Sequence, residues 1–407
     1  MNDEPSRAKQ RCDLLGEGRF TDVPGMLFRP YLGPAHKAAV GQVTAWMEEA
    51  GMSVRLDPSG SLIGRYEGAG AKTLLIGSHI DSVRDGGRYD GPLGVMLGID
   101  CVAALNEAGR RLPFAIEVVA FGDEEGSRFP AAMLCSRAMA GLIDSTALEI
   151  DGLEAALKDW GLDKASFLDA RRDPADLIGY IEAHIEQGPA LEAAGLALGI
   201  VTGIAAQKRY AVRMVGIAGH AGTNSMALRK DALTATAEAV LRIEEIGRAG
   251  PSDLVATVGR MEVLPGAPNV VPGEVRFSID VRAGGAEVRD RAAKEIERAL
   301  ADIAENRGLG LDVRLLHDLP PAPCDPAMMA RLDKAVAAIG QPVHRLVSGA
   351  GHDAMALAEI TPMAMLFLRC EGGISHNPLE RVFSADANLA RDALLTFLDL
   401  LSEDHDG

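Results

Sequence analysis

The sequence predicts an α/β protein in two parts, a large domain built on a mixed sheet and a smaller domain inserted into it. Short apolar runs, Leu74–Gly77, Ile116–Phe121 and Met363–Leu368, each empty into a loop rich in glycine and polar residues, as buried strands of an open sheet do. Between residues 207 and 323 the order is strand, helix, strand, strand, helix, strand, which is that of a complete ferredoxin-like unit. At 407 residues the chain also exceeds the usual size of one hydrophobic core.

Taken in order, Val40, Val43, Trp46, Met47 and Ala50 make one helical stripe from Pro34 to Ala50, and Gly51 supplies a stop. Strands Ser53–Leu56 and Ser61–Tyr66 flank the turn Pro58-Ser59-Gly60. After the strand that ends near His79, Pro92 to Ala108 opens with a proline suited to a first helical turn and is apolar on most sides, so a buried helix is expected. Residues 141–178 hold amphipathic helical material such as Leu153–Trp160. The inserted unit follows as strand Lys208–Val215, helix Arg229–Gly247, strands Leu254–Val263 and Glu274–Val281, helix Ala286–Asn306 and strand Leu311–Leu316. Three prolines in Leu319–Pro323 stiffen the return and suit neither helix nor central strand. Helices Ala327–Ile339, Ala354–Glu359 and Ser384–Leu401 complete the large domain, which takes residues 1–206 and 324–407, with 207–323 inserted.

A formal charge of −17 and the lack of a basic run argue against nucleic acid as a partner. Met1–Gln10 lacks the apolar core of a signal peptide, and no segment approaches the ~20 apolar residues that span a bilayer. Cys12, Cys101, Cys135, Cys324 and Cys370 are odd in number and scattered, which predicts reduced thiols and a cytoplasmic protein. No Gly-x-Ser-x-Gly elbow and no phosphate-binding loop occurs.

Chemistry-bearing residues gather at strand ends. His79 and Asp90 flank a Gly-rich loop and suit a divalent ion, with Asp81 placed to orient His79; on a loop, such residues are also commonly solvated. Asp123-Glu124-Glu125 would repel one another without a cation, so Glu125 could ligate while Glu124 faces substrate as a general base; alone, the triplet is an acidic turn. His184 is a third candidate ligand, buffered by Glu182 or Glu186 on the same strand face, and His376 lies just beyond a strand end. Five such ligands suit two metals sharing one carboxylate, with Asp90 a candidate bridge. In the insertion, His220 sits in the loop Gly219–Thr223, Asn269–Gly273 is a turn, and Asp280-Val281-Arg282 closes a strand.

The segments GSHIDSVRDGGRYDGPLGV, DEEGSRF, HIEQGP, GHAGT, NVVPG, SGAGHDA and GISHNP resemble, in order, those of the hydantoinase/carbamoylase-type amidases of the dizinc M20 peptidase clan. The resemblance runs from about residue 10 to 400. It implies an aminopeptidase-like catalytic domain, a smaller lid and dimerisation domain, a homodimer, and hydrolysis of a linear ureido group. It further implies that His79 and His184 hold one metal, Glu125 and His376 the other, and that Asp90 bridges. Glu124 resembles the general base, Gln207, Asn269 and Arg282 the substrate contacts, and His220 an oxyanion-stabilising lid histidine. Asn224-Ser225-Met226 stand where the family often has a proline before Met, which predicts a looser loop. EEGSRFP and GISHNP are most similar to the allantoate amidohydrolase branch. An N-carbamoyl-L-amino-acid hydrolase comes next, then a metallo-exopeptidase, and last a non-catalytic binding protein. Mixed His and carboxylate ligation accepts Zn²⁺, Mn²⁺, Co²⁺ or Ni²⁺.

Overall fold

The structure, a computed structural model, describes residues 5–404. In chain order its strands are β1 (Ser53–Leu56), β2 (Leu62–Tyr66), β3 (Thr73–His79), β4 (Ala115–Phe121), β5 (Leu177–Ile185), β6 (Leu198–Ile204), β7 (Ala206–Val215), β8 (Gly219–His220), β9 (Val255–Leu264), β10 (Val270–Val271), β11 (Glu274–Ala283), β12 (Gly310–Leu319), β13 (Ala322–Pro323), β14 (Arg345–Ser348) and β15 (Met363–Leu368). The chain divides into two compact units, Met1–Thr202 with Pro323–Leu346 and Ala350–Gly407, and Gly203–Ala322 with Val347–Gly349.

A nine-stranded mixed sheet has the order β1-β2-β4-β3-β5-β15-β6-β13, with β14 also on β6. Its centre is parallel, β4 to β3, β3 to β5 and β5 to β15, while β6 runs against β15. Every residue of β3, β4 and β15 is buried, the condition of parallel strands covered on both faces. Helices Pro92–Glu107, Pro326–Ala338 and Ser384–Glu403 supply Met96, Ile99, Leu332, Leu394 and Phe397 to a core shared with Ile76, Val118 and Leu366. Helix Arg7–Leu15 adds Cys12 and Leu15 to that core, and it is fastened where Arg7 and Arg11 donate to the buried Asp100 Oδ1 at 2.7 and 3.0 Å. Without those guanidinium groups the Asp100 carboxylate would be an unpaired buried charge.

In the second unit a four-stranded antiparallel sheet has the order β12-β7-β11-β9. Helices Ala232–Ala249 and Ala286–Asn306 cover one face, where Val212, Met214, Phe277 and Ile279 pack on Ala239, Ile243, Ile296 and Leu300. The alternation of β11 sends Val275, Phe277, Ile279 and Val281 inward, and the intervening Arg276, Ser278, Asp280 and Arg282 fall on the opposite face.

Several expected elements differ from those observed. The helix expected from Arg229 begins at Ala232, because the Asp231 side chain accepts the Leu233 and Thr234 amides and so caps it. The prolines of the return do not exclude strand: Ala322–Pro323 form a short edge strand, where proline needs no ladder donor. Within the expected turn Asn269–Gly273, Val270 and Val271 pair with β8. Helix Arg7–Leu15 and strands β6 and β14 are additional to the expected elements; Arg7–Leu15 is highly polar, and β14 has only four residues.

Candidate metal centre

The parallel strands deliver their C-terminal ends to one edge of the sheet, where open α/β folds place their sites. His79 is the last residue of β3, in register with Phe121 at the end of β4, after which the chain reaches Asp123, Glu124 and Glu125. His184 is the penultimate residue of β5 and lies opposite Phe367 of β15, whose following loop carries His376. Asp90 precedes helix Pro92–Glu107 by one turn residue, Gly91. Glycine is required there: φ is +84°, and a Cβ would stand 2.4–2.6 Å from three His79 ring atoms. Asp123, Gln187 and His376 also hold positive φ, a strain concentrated where the side chains converge.

Asp90 is the centre of the group. His184 Nε2 approaches its Oδ1 at 3.3 Å, and His376 Nε2 approaches its Oδ2 at 3.0 Å and Glu125 Oε1 at 3.5 Å. Ligand atoms of His79, Asp90 and His184 lie within 4.8 Å of one another, as do those of Asp90, Glu125 and His376. His79, Glu124 and Glu125 form a further such set, and Glu182, His184 and His352 another. The five predicted ligands therefore converge, with Asp90 common to two sets. Asp81 braces them: His79 Nδ1 is 3.3 Å from its Oδ1, and its two oxygens accept the Glu124 and Glu125 amides at 3.2 Å each.

Buffering of His184 by Glu186 does not occur. Glu186 lies past the end of β5 and accepts the Ala190 and Leu191 amides instead. Glu182 accepts from Ser78, Tyr180 and the Ala354 amide, and His184 Nδ1 contacts its neighbour's carbonyl, Ile185 O, at 2.9 Å.

The cluster is electrostatically costly without a cation. Burial raises Glu124 well above the ordinary carboxylate range, opposed by His79 and reinforced by Glu125, Asp353 and Asp81. Burial, then the Asp90 charge, pushes Glu125 up to about 7. Burial would also raise Asp90, but the His376 hydrogen bond and the charges of His184 and His79 hold it low. Burial lowers His184 to about 4, and its Nε2 has no hydrogen-bond partner among the described residues. A buried, neutral imidazole nitrogen left unpaired beside carboxylates fits a metal-ligand set.

Two residues that bear on this group were not singled out in the sequence. Gln187 Nε2 donates to both Asp90 oxygens, at 3.0 and 3.1 Å. Glu380 accepts the Tyr89 and Asp90 amides at 2.8 and 3.2 Å. Gln187 stands within the motif HIEQGP and Glu380 two residues after GISHNP, so only motif proximity could have signalled them.

The second unit holds the remaining candidates in two groups. Gln207 and Arg282 are directly opposed on β7 and β11, and both donate to Asp280. His220 and Asn269 are adjacent at the β8–β10 ladder, where the Ala221 amide donates to the Asn269 carbonyl at 2.9 Å. The loop after His220, expected to be loose, is laced by Arg229, which donates to the Asn224 and Ala221 carbonyls at 3.0 and 2.6 Å.

Histidine and carboxylate side chains converging at parallel strand ends define the class as a metallohydrolase-like α/β protein. The chain belongs to peptidase family M20/M25/M40, whose sequence pattern matches residues 75–399. It is 42% identical over 396 residues to N-carbamoyl-L-amino acid amidohydrolase of Geobacillus stearothermophilus, covering 95% of this chain and 96% of that one. It is 38% identical over 422 residues to allantoate deiminase 1 of Glycine max, covering 95% and 87%. A solved amidase of the hydantoinase/carbamoylase family from Burkholderia multivorans superposes with a TM-score of 0.89 at 32% identity, covering 97% of each chain.

Proposed function

We propose that this protein is a dinuclear metal-dependent amidohydrolase that cleaves the ureido C–N bond of a small carboxylate, with allantoate the first substrate and release of ammonia and CO₂. The position of Asp90, between His184 on one side and His376 with Glu125 on the other, carries the reading. His79 and His184 would hold one divalent ion, Glu125 and His376 a second, and Asp90 both; Zn²⁺ or Mn²⁺ suits the set, and Co²⁺ or Ni²⁺ is compatible. When bound, such ions polarise the ureido carbonyl and acidify water.

The chain's own residues do the rest. Glu124 takes a proton from the attacking water and passes it to the departing nitrogen as the C–N bond breaks; the Asp81 carboxylate, which accepts its backbone amide at 3.2 Å, holds it beside His79 and Glu125. Arg282 pairs with the substrate carboxylate, Gln207 and Asn269 contact the ureido group, and His220 donates to the oxygen that gains charge. The first unit serves as the catalytic domain, with an aminopeptidase-like sheet. The second, whose strand order and helices agree with a ferredoxin-like lid, also pairs two copies; exposed Leu315 and Leu316 on the outer strand β12 support that pairing. No helix among the described residues is long and apolar enough to cross a membrane. All five cysteines are buried and unpaired, which supports a reducing, cytoplasmic setting.

An N-carbamoyl-L-amino acid is the second substrate reading, favoured by the 42% identity to such an enzyme. Metal-loaded protein offered allantoate, N-carbamoyl-L-amino acids and dipeptides decides the matter: ammonia from either ureido substrate supports the reading, and cleavage of dipeptides alone overturns it.

A further inference from the structure

The carboxylate of Asp280 is a hub on the open face of the second unit's sheet. Its Oδ1 accepts Arg282 Nε at 2.7 Å, and its Oδ2 accepts Arg282 Nη2 at 3.1 Å, Gln207 Nε2 at 2.7 Å and Arg209 Nε at 2.9 Å. The strand register produces this arrangement, because Asp280 stands directly opposite Arg209, and Arg282 directly opposite Gln207. Side chains two residues apart along a strand share a face, so all four groups meet there.

A guanidinium carries five N–H donors in a rigid plane. Asp280 takes two of them along the Nε–Nη2 edge, and the Gly349 carbonyl takes one from Nη1. One N–H on Nη1 and one on Nη2 remain to donate to a second carboxylate. The same carboxylate fixes Gln207. A carboxylate only accepts, so the Gln207 NH₂ must face Asp280, and its carbonyl is left to accept from a ureido N–H.

We propose that Asp280 is the positioning residue for carboxylate selectivity, aligning the Arg282 fork and the Gln207 amide in a single orientation for a ureido carboxylate. The proposal rests on the reading of Arg282 as the carboxylate contact. Strand pairing alone does not require this carboxylate, since β7 and β11 are joined by a ten-residue backbone register from Glu274↔Val215 to Ala283↔Ala206.

The test compares kinetics on the substrate turned over, allantoate or an N-carbamoyl-L-amino acid, with kinetics on its primary carboxamide. Asp280→Asn keeps the size of the side chain but removes its charge and one acceptor. It should raise KM for the carboxylate substrate about tenfold, with kcat changed little, and raise KM for the carboxamide much less, because the carboxamide shares only the Gln207 contact. Asp280→Glu should restore part of the selectivity, which keeps the test open should Asp280→Asn fold poorly. Equal loss on both substrates, or unchanged selectivity in Asp280→Asn, overturns the proposal. Arg282→Met separates the two claims. Selectivity lost in Arg282→Met but intact in Asp280→Asn leaves the Arg282 reading standing and removes Asp280, whereas selectivity intact in Arg282→Met removes both.

Discussion

Glu380 and Asp90 are 290 residues apart in sequence, yet the Glu380 carboxylate accepts the Asp90 backbone amide at 3.2 Å. The same oxygen accepts the Tyr89 amide at 2.8 Å, and the Ser375 hydroxyl lies 3.1 Å from the other oxygen and 3.2 Å from Asp90 Oδ2. Gly87 makes room for it, since a Cβ there would stand 2.0 Å from the Glu380 carboxyl carbon. Glu380 thus holds the backbone of Asp90, and the single Ser375 hydroxyl proton lies between the two carboxylates.

Glu380→Ala should leave two buried amides without an acceptor and lower stability by about 1–3 kcal/mol. Metal affinity should fall about 10- to 100-fold, as for other residues that orient ligands. Thermal unfolding and metal titration measure the two effects, and an unchanged metal affinity refutes the bracing role.

Glu124→Gln should retain both metal ions but lose about 10²- to 10⁴-fold in kcat, the usual contribution of a positioned acid–base group. Metal content and turnover measured on one preparation check this, and retained turnover excludes Glu124 as the base.

Gly91→Ala should abolish metal uptake, because the added methyl would meet the His79 ring, while Gly109→Ala serves as the comparison. Gly109 has φ +63° with nothing within 4 Å of a Cβ, so its substitution should cost only the left-handed strain, about 1–2 kcal/mol, with metal uptake normal.

Acid stability should depend on His36, which is fully buried, accepts the Leu32 amide through Nδ1 at 3.2 Å and stacks on Trp160. Burial lowers its pKa from 6.5 to about 3. Between those values the unfolded chain binds a proton that the folded chain refuses, so stability falls as pH drops below 6.5, by at most about 1.4 kcal/mol per unit. His36→Gln should be less stable at pH 7, and the gap to the native protein should narrow by pH 5 in urea unfolding. A constant gap contradicts the assignment.

The central strands of the large sheet are legible because burial on both faces writes continuous apolar runs, as in Met363–Leu368, whose bounds match the structure, whereas the strands of the insertion are legible from alternation, as in β11. The candidate ligands stand out in the sequence as His and acid residues at strand ends, although their convergence depends on strand order, which periodicity does not encode. What escaped was carried by single polar residues in loops. Glu380 and Gln187 act through backbone amides and through Asp90, and nothing in their local sequence states which distant group they meet. Glu186 misled for the same reason: alternation put it beside His184, but the strand ends at Ile185 and the side chain caps the next helix.

The place of β15 in the sheet bears on how the polypeptide is made. It lies between β5 and β6, parallel to one and antiparallel to the other, although the whole second unit separates it from them in sequence. On the ribosome, β5 and β6 emerge long before their shared neighbour and present unpaired, apolar edges throughout synthesis of the insertion. The nascent chain therefore has an extended interval in which a chaperone, or another copy's strand, can occupy the slot that β15 later closes.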